Sequence, residues 1–286
     1  MNKKIEYVIE KAILFSGIAS VIFVILIFIF LVKEGLSLFG TENFLSFISG
    51  KNWYPISDPP QFGILPLIMG SIFVTFGAIV IAVPLGIAVA IYIAEIAPLR
   101  FRDVLKSGIE LLAAIPSVVL GFLGLITLAP LLKNIFNLPS GLTAFAGSIM
   151  LAFMALPTIV SIIEDSIVSV PRNYKEGSLA LGATSWQTIY RVILPAASSG
   201  ILSAVMLGIG RVIGETMAVL MITGNAAVMP TSLLQPVRTL TATIATEMGE
   251  TVGGSPHYFS LFAIGIILFI ISFIINLLAD RFLHKK

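Results

Sequence analysis

Ser169–Pro195, SVPRNYKEGSLALGATSWQTIYRVILP, is a polar island between two long apolar runs, and its reading decides the fold. Pro171 suits a first helical turn, the stretch from Arg172 to Leu181 has Gly177 as its main breaker, and Gly182 stands where a left-handed stop is easiest. Thr184 with Gln187 three residues on resembles a capping box, which starts a second helix through Trp186, Ile189 and Tyr190 toward Pro195. The island is therefore expected to fold as a helix–glycine–helix hairpin, a rigid handle. On an otherwise apolar chain, this is where a water-soluble partner would take hold.

The rest of the chain explains why a handle is needed. Apolar residues make up 57% of 286 and charged residues only 11%, with a mean hydropathy of +1.05, which lies outside soluble composition. The sequence specifies an all-α integral membrane protein. A net charge of +2 is too small to argue for nucleic acid, and the absence of cysteine excludes disulfides, zinc-thiolate sites and thiol catalysis. Six apolar runs are long enough to span: Ala12–Val32, Ile64–Ala97, Ser107–Leu132, Gly141–Ile163, Gly200–Gly224 and Tyr258–Ala279. The first exceeds a usual signal-peptide core, and Lys33-Glu34-Gly35 offers no small-x-small cleavage site, so it reads as a retained span.

Lysine and arginine set the orientation. The N-terminus, the connection Arg100–Lys106, the island and the C-terminus hold three each, whereas the alternate loops hold only Lys33, Lys51, Lys133 and Arg238. Both termini and the island are expected in the cytoplasm, within reach of a cytosolic protein.

In the outer loop 33–63, Trp53-Tyr54-Pro55 reads as an aromatic anchor at the membrane interface. The second run, 34 residues long, would measure about 51 Å as one helix against a hydrocarbon core of about 30 Å. It must tilt, project or break, and Pro84 with Gly86 is the expected kink. Glu95 near its inner end and Glu110, in the first turn of the third run, read as interfacial acids. Pro116 and Pro157 interrupt the third and fourth runs, which places those helices inside a bundle.

The fifth run carries the chemistry, in Gly208-Ile209-Gly210-Arg211-Val212-Ile213-Gly214-Glu215. Arg211 falls near mid-bilayer, where an arginine costs at least about 2.5–3.5 kcal/mol to insert, so it should face protein or water. Helical spacing would put Glu215 on one face with Arg211 and Gly208, beside a Gly210/Gly214 stripe that lets another helix approach. The two charges either neutralise each other and fix packing, or the guanidinium offers planar donors to an oxyanion while Glu215 orients it and tempers its affinity. In the segment 225–257, Val237, Leu240, Ile244 and Met248 form an apolar stripe expected to lie along the membrane surface. His257 and His284 stand without ligand spacing around them.

The hairpin resembles the EAA loop of binding-protein-dependent ABC importer permeases. Glu176, Gly182 six residues on, nine further residues and then Val192-Ile193-Leu194-Pro195 follow the pattern Glu-Ala-Ala-x3-Gly-x9-Ile-x-Leu-Pro, with Gly177-Ser178 in place of the alanines and Val192 in place of isoleucine. The run Phe62–Ser71, the outer Trp-x-Pro segment and Gly-Arg-Val-Ile-Gly-Glu-Thr-Met at 210–217 extend the likeness to PstC-type permeases of phosphate ABC importers over essentially the whole chain. The resemblance implies the six-helix fold of a type I importer permease, with an N-terminal segment, first span and outer loop over 1–63 and a permease core over 64–286. It implies a prokaryotic inner-membrane location, a heterodimer with a PstA-type permease, a pair of ATP-binding cassette ATPases inside and a phosphate-binding protein outside. Glu176, Gly182, Ala183, Thr184, Trp186, Leu194 and Pro195 would couple to the ATPase, and Arg211, Glu215 and Gly208 would line the substrate pathway. ATP and magnesium would belong to the ATPase, since Gly50-Lys51 is followed by Asn52 and lacks the upstream glycine of a P-loop. Transport would proceed by alternating access. A molybdate, sulfate or tungstate permease, an ATP-independent channel or carrier and a membrane enzyme are the rivals, and no hydrolase motif supports the last.

Overall fold

The structure is a computed structural model describing residues 3–283, and it is helical almost throughout. The first span is α1 (Lys3–Leu36). A short α2 (Phe44–Ser49) and a hairpin of β1 (Trp53–Tyr54) and β2 (Gln61–Phe62) follow, with Trp53 opposite Phe62. Next come α3 (Leu65–Ile91), prolonged by a π turn at Tyr92–Ile96, and α4 (Leu99–Ala113). The third span is α5 (Ser117–Leu123) and α6 (Ala129–Ile135) joined by a π turn at Gly124–Leu128, and the fourth is α7 (Ala144–Val168). The hairpin contains α8 (Arg172–Ala180), α9 (Ser185–Thr188), a π turn at Ile189–Ile193 and α10 (Leu194–Ala196). The chain ends with α11 (Ser198–Gly214), α12 (Met217–Ile222), α13 (Leu240–Glu247) and α14 (Pro256–Leu283). Five helical segments are long and apolar enough to cross a membrane, and a sixth crossing counts α11 with its lead-in Ser185–Ala196, bent from it by 69°.

Because lipid tails are as apolar as leucine, close packing rather than expulsion from water joins such helices, and small residues set how near they come. The fourth span is the axis of the bundle, with α3 and α11 lying along it. A Cβ on Gly86 would come within 2.6 Å of Ile159, and one on Gly208 within 2.8 Å of the same side chain, so these glycines let both neighbours close on α7. At the far end of the chain α1 packs along α14 while its own apolar side chains stay exposed, as a lipid-facing helix requires.

Several sequence expectations change. The third span begins at Ser117 rather than Ser107, because Arg100, Arg102, Asp103, Lys106 and Glu110 fill one amphipathic helix, α4, and Pro116 forbids its continuation. Glu110 thus lies toward the end of α4 instead of in the first turn of a span. Lys106 ties α4 to the inner end of α7, bonding Asp165 at 2.8 Å and Glu164 at 2.6 Å. These partners, Asp165 foremost, raise the ammonium above the ordinary lysine range. Its contribution is therefore complete at neutral pH and is lost only as pH climbs past that range.

Pro84 and Gly86 do not break α3, which runs helically through both and changes only at its inner π turn. Packing on α7 through Gly77 and Gly86 holds this stretch, so the loss of one backbone bond at Pro84 does not open it. Pro157 likewise sits inside an unbroken α7. The apolar stripe from Val237 to Met248 does not lie on the membrane surface. Val237 and Leu240 are fully buried, and α13 packs between α3 and α14, with the Leu240 amide donating to Ser71 Oγ at 3.0 Å.

Candidate substrate pathway and coupling hairpin

The fifth span is broken at Glu215. Helix α11 stops at Gly214, Glu215 takes extended backbone angles (φ −71°, ψ 132°), and α12 begins at Met217. Arg211 and Glu215 therefore do not share a helical face, and no ion pair joins them among the described residues. The Glu215 carboxylate instead turns onto the next helix, where Oε1 accepts from the Met217 amide at 3.1 Å and the Ala218 amide at 3.3 Å. This satisfies donors that a helix start leaves open and places negative charge at its positive end. The hydroxyl of Thr241 donates to the Glu215 carbonyl at 2.9 Å and so secures the unwound backbone. Val212 and Ile213 before the break and Met217–Leu220 after it gave no sign of it; Gly214 and Thr216 were its local signals.

Arg211 occupies the last turn of α11, exposed on a surface that this chain does not cover. One guanidinium nitrogen, Nη1, donates to Thr158 Oγ1 at 3.2 Å, and its other donors meet no acceptor among the described residues. Thr158, which the sequence analysis missed, follows Pro157 in mid-α7 and is a polar residue amid apolar ones. Gly208 faces inward against Ile159, whereas Gly210 and Gly214 face open space, where an added Cβ would meet nothing within 4 Å. A planar cation in the last turn of α11, braced by one hydroxyl and bordered by two bare glycines, can present several donors to an anion.

The hairpin folds as its sequence predicts. Gly182 adopts φ +85°, and the amides of Gly182 and Ala183 return to the carbonyls of Leu179 (3.0 Å) and Ser178 (3.2 Å), closing α8 with a Schellman motif. Thr184 and Gln187 form the reciprocal capping box, at 3.2 Å and 2.9 Å. Glu176, Thr184, Trp186 and Pro195 are exposed, Ala183 and Leu194 half-buried. Leu181 is 91% exposed, Tyr190 72% and Trp186 64%, so a hairpin of polar helices carries an apolar tip. Surfaces of this kind await a partner. Two contacts have no local sequence signal: the ion pair between Lys175 and Glu95, which gives Glu95 a structural partner, and the Ser178–Thr188 hydroxyl contact of 3.0 Å between the two limbs.

At the other end of α3, Trp53 is buried (2% exposed) instead of anchoring in the interface, and its indole N–H reaches both Glu247 oxygens at 3.1 Å. Arg238 Nη1 donates to Glu247 Oε1 at 2.6 Å, and His257 Nε2 lies 2.8 Å from Oε2. His257 is thus not solitary, and His284 lies outside the described residues. Glu247 joins the β1–β2 hairpin, through Trp53, to the residues flanking α13, beside an open cavity of about 940 Å³.

Comparison with known proteins agrees with this architecture. Residues 82–286 match the family described as binding-protein-dependent transport system inner membrane component. The chain is 44% identical over 260 residues to a probable ABC transporter permease, YqgH, of Bacillus subtilis, covering 90% of this chain and 84% of that one. It is 39% identical over 271 residues to the phosphate transport system permease PstC of Mesorhizobium japonicum, covering 88% and 81%. Among solved structures, a bacterial alginate ABC transporter in complex with its pentasaccharide-bound periplasmic protein superposes with a TM-score of 0.68 at 16% identity, covering 99% of this chain and 96% of that one. An inward-facing MetNI methionine transporter superposes with a TM-score of 0.56 at 21% identity, covering 77% and 93%. These last two share the fold alone, that of importer permeases, which are transport components and not enzymes. The chain belongs to the binding-protein-dependent transport system inner membrane components and, among them, to the PstC-type ABC permeases.

Proposed function

We propose that this permease carries inorganic phosphate into the cytoplasm by ATP-driven alternating access, with Arg211 as the residue that handles the anion. The observation that carries this reading is the Arg211 guanidinium at the break of the fifth span, held by Thr158 yet, among the described residues, left with unpaired donors on an uncovered face. Buried inside a finished assembly, such a group needs either a water path or an anionic guest. Glu215 tempers the site from a distance, since its charge is already engaged with the start of α12. The substrate's identity as phosphate draws support from relatives named as phosphate permeases, at 32–39% identity.

The uncovered face bearing Arg211, Gly210 and Gly214 is assigned to a second, PstA-type permease, so that the pathway runs between the two subunits. The apolar tip at Leu181, Trp186 and Tyr190, with Glu176 on the flank, seats in a groove of the ATPase, which holds ATP and magnesium. Both termini lie in the cytoplasm, and the surface beside Glu247 faces the phosphate-binding protein. When the ATPase pair closes, the hairpin moves as a body and tilts the spans around Arg211.

The test is phosphate uptake into vesicles holding the complete transporter. Arg211→Ala is expected to lower uptake by about 100-fold or more with assembly intact, the size of effect expected when a desolvated charge loses its partner. Uptake at the parent rate would remove Arg211 from the pathway. Arg211→Lys separates planar recognition from bare charge, and competition by molybdate, sulfate and tungstate decides among oxyanions. Uptake that persists without ATP would mean a channel or carrier.

A further inference from the structure

We propose that the Lys175–Glu95 ion pair is a transmission link that delivers the ATPase's displacement of α8 to the second span, so that the hairpin drives two spans at once; this rests on the coupling role given to the hairpin above. Covalent continuity already joins the hairpin to the fifth span through α10 and the 69° bend into α11. A second connection must pass through space.

Among the described residues, the one hydrogen bond from α8 to a membrane span is the contact of Lys175 Nζ with Glu95 Oε2. Lys175 immediately precedes Glu176 on the helix assigned to the motor, while Glu95 lies in the π turn that ends the second span. The two ends of the link differ in setting. Lys175 is 45% exposed, but the Glu95 side chain only 11%. An exposed pair between long side chains contributes little, but a largely covered carboxylate stripped of its cation is left with an uncompensated charge. Glu95 must therefore follow Lys175 or carry that penalty, which gives the pair a pull that van der Waals contact lacks. The apolar packing beneath supports the same route: Ile93 and Ala94 of this π turn share a buried cluster with Ile189 and Ile193 of the hairpin's own π turn. Such turns, closed by i→i+5 bonds, recur at functional sites within helices.

The experiment compares Lys175→Glu, Glu95→Lys and the double exchange with the parent in vesicles containing the full transporter, reading phosphate uptake and ATP hydrolysis together. Each single reversal is expected to lower the uptake obtained per ATP by about tenfold, and the double exchange to recover most of it, as for two groups that act as one. Singles that couple like the parent, or a double exchange no better than the singles, would overturn the link. Because the chain has no cysteine, Glu95→Cys with Lys175→Cys adds a check that does not depend on charge. A short thiol-to-thiol cross-link at this position should leave uptake intact if the pair travels as one body. Hydrolysis that continues while the cross-link stops uptake would refute the proposal. A parent complex that takes up no phosphate would instead refute the function, so the two failures are distinct.

Discussion

The hairpin at one end of α3 and the cluster around Glu247 at the other are held together by opposite means. Within the hairpin nearly every polar bond is local: the Schellman closure at Gly182, the capping box of Thr184 and Gln187, and the Ser178–Thr188 contact across ten residues. Around Glu247 the bond that counts is remote: Trp53 lies 194 positions away and is drawn to the carboxylate that Arg238 and His257 hold from either side of α13. A locally bonded element keeps its shape while it moves against its surroundings. A remotely bonded one keeps its surroundings together. The first suits a handle, the second a clamp on the outer end of the bundle.

The contrast is sharpest at Glu247. Glu247→Ala leaves Arg238 short of a carboxylate in a partly buried setting and is expected to destabilise the protein by about 3–5 kcal/mol, visible as a lower unfolding temperature in micelles. An unchanged midpoint would show that the clamp carries no load. Gly182→Val places a branched side chain at φ +85°, at a local cost of about 1–2 kcal/mol. It should uncouple hydrolysis from uptake or prevent ATPase association while the unfolding temperature of the spans stays put, and a fully coupled variant would argue against a shape-dependent handle. Thr184→Ala removes one half of the capping box and should cost about 1 kcal/mol, read as faster amide exchange over 185–188. The smallest effect is expected from Gly177→Ala. The new methyl meets nothing within 4 Å, so α8 should gain up to about 1 kcal/mol with ATPase association preserved. If association weakened instead, Gly177 would be marked as a point of close approach by the partner.

The same contrast explains what was legible in the sequence. Glycine at a left-handed stop and threonine three residues before glutamine are signals complete within a few positions, and the hairpin followed them. Six apolar runs gave five helices long enough to cross among the described residues, and a sixth crossing as a bent pair; the edges moved wherever a proline or a polar face outweighed mean hydropathy, as at Pro116 after α4. Arg211 stands out in the sequence by its place deep in an apolar run. Its partner does not: helical spacing points to Glu215, whereas the backbone turns out of the helix at that residue and Thr158 on another span supplies the contact. The pairings Lys175–Glu95, Trp53–Glu247 and Thr241–Glu215 join residues whose approach is decided by tertiary packing, and no local pattern encodes them.

The interruption at Glu215–Thr216 also divides the fifth crossing into two levers of unequal attachment. The longer one, α11, is continuous with the hairpin, while the shorter one, α12, is pinned through its capped start and the nearby Thr241 to the outer part of the bundle. If the hairpin is the handle proposed above, a swing begun there would spend itself at the joint and move α11 while α12 stays in place. A permease with an articulated crossing beside Arg211 has the means to avoid becoming, at any instant, an open leak.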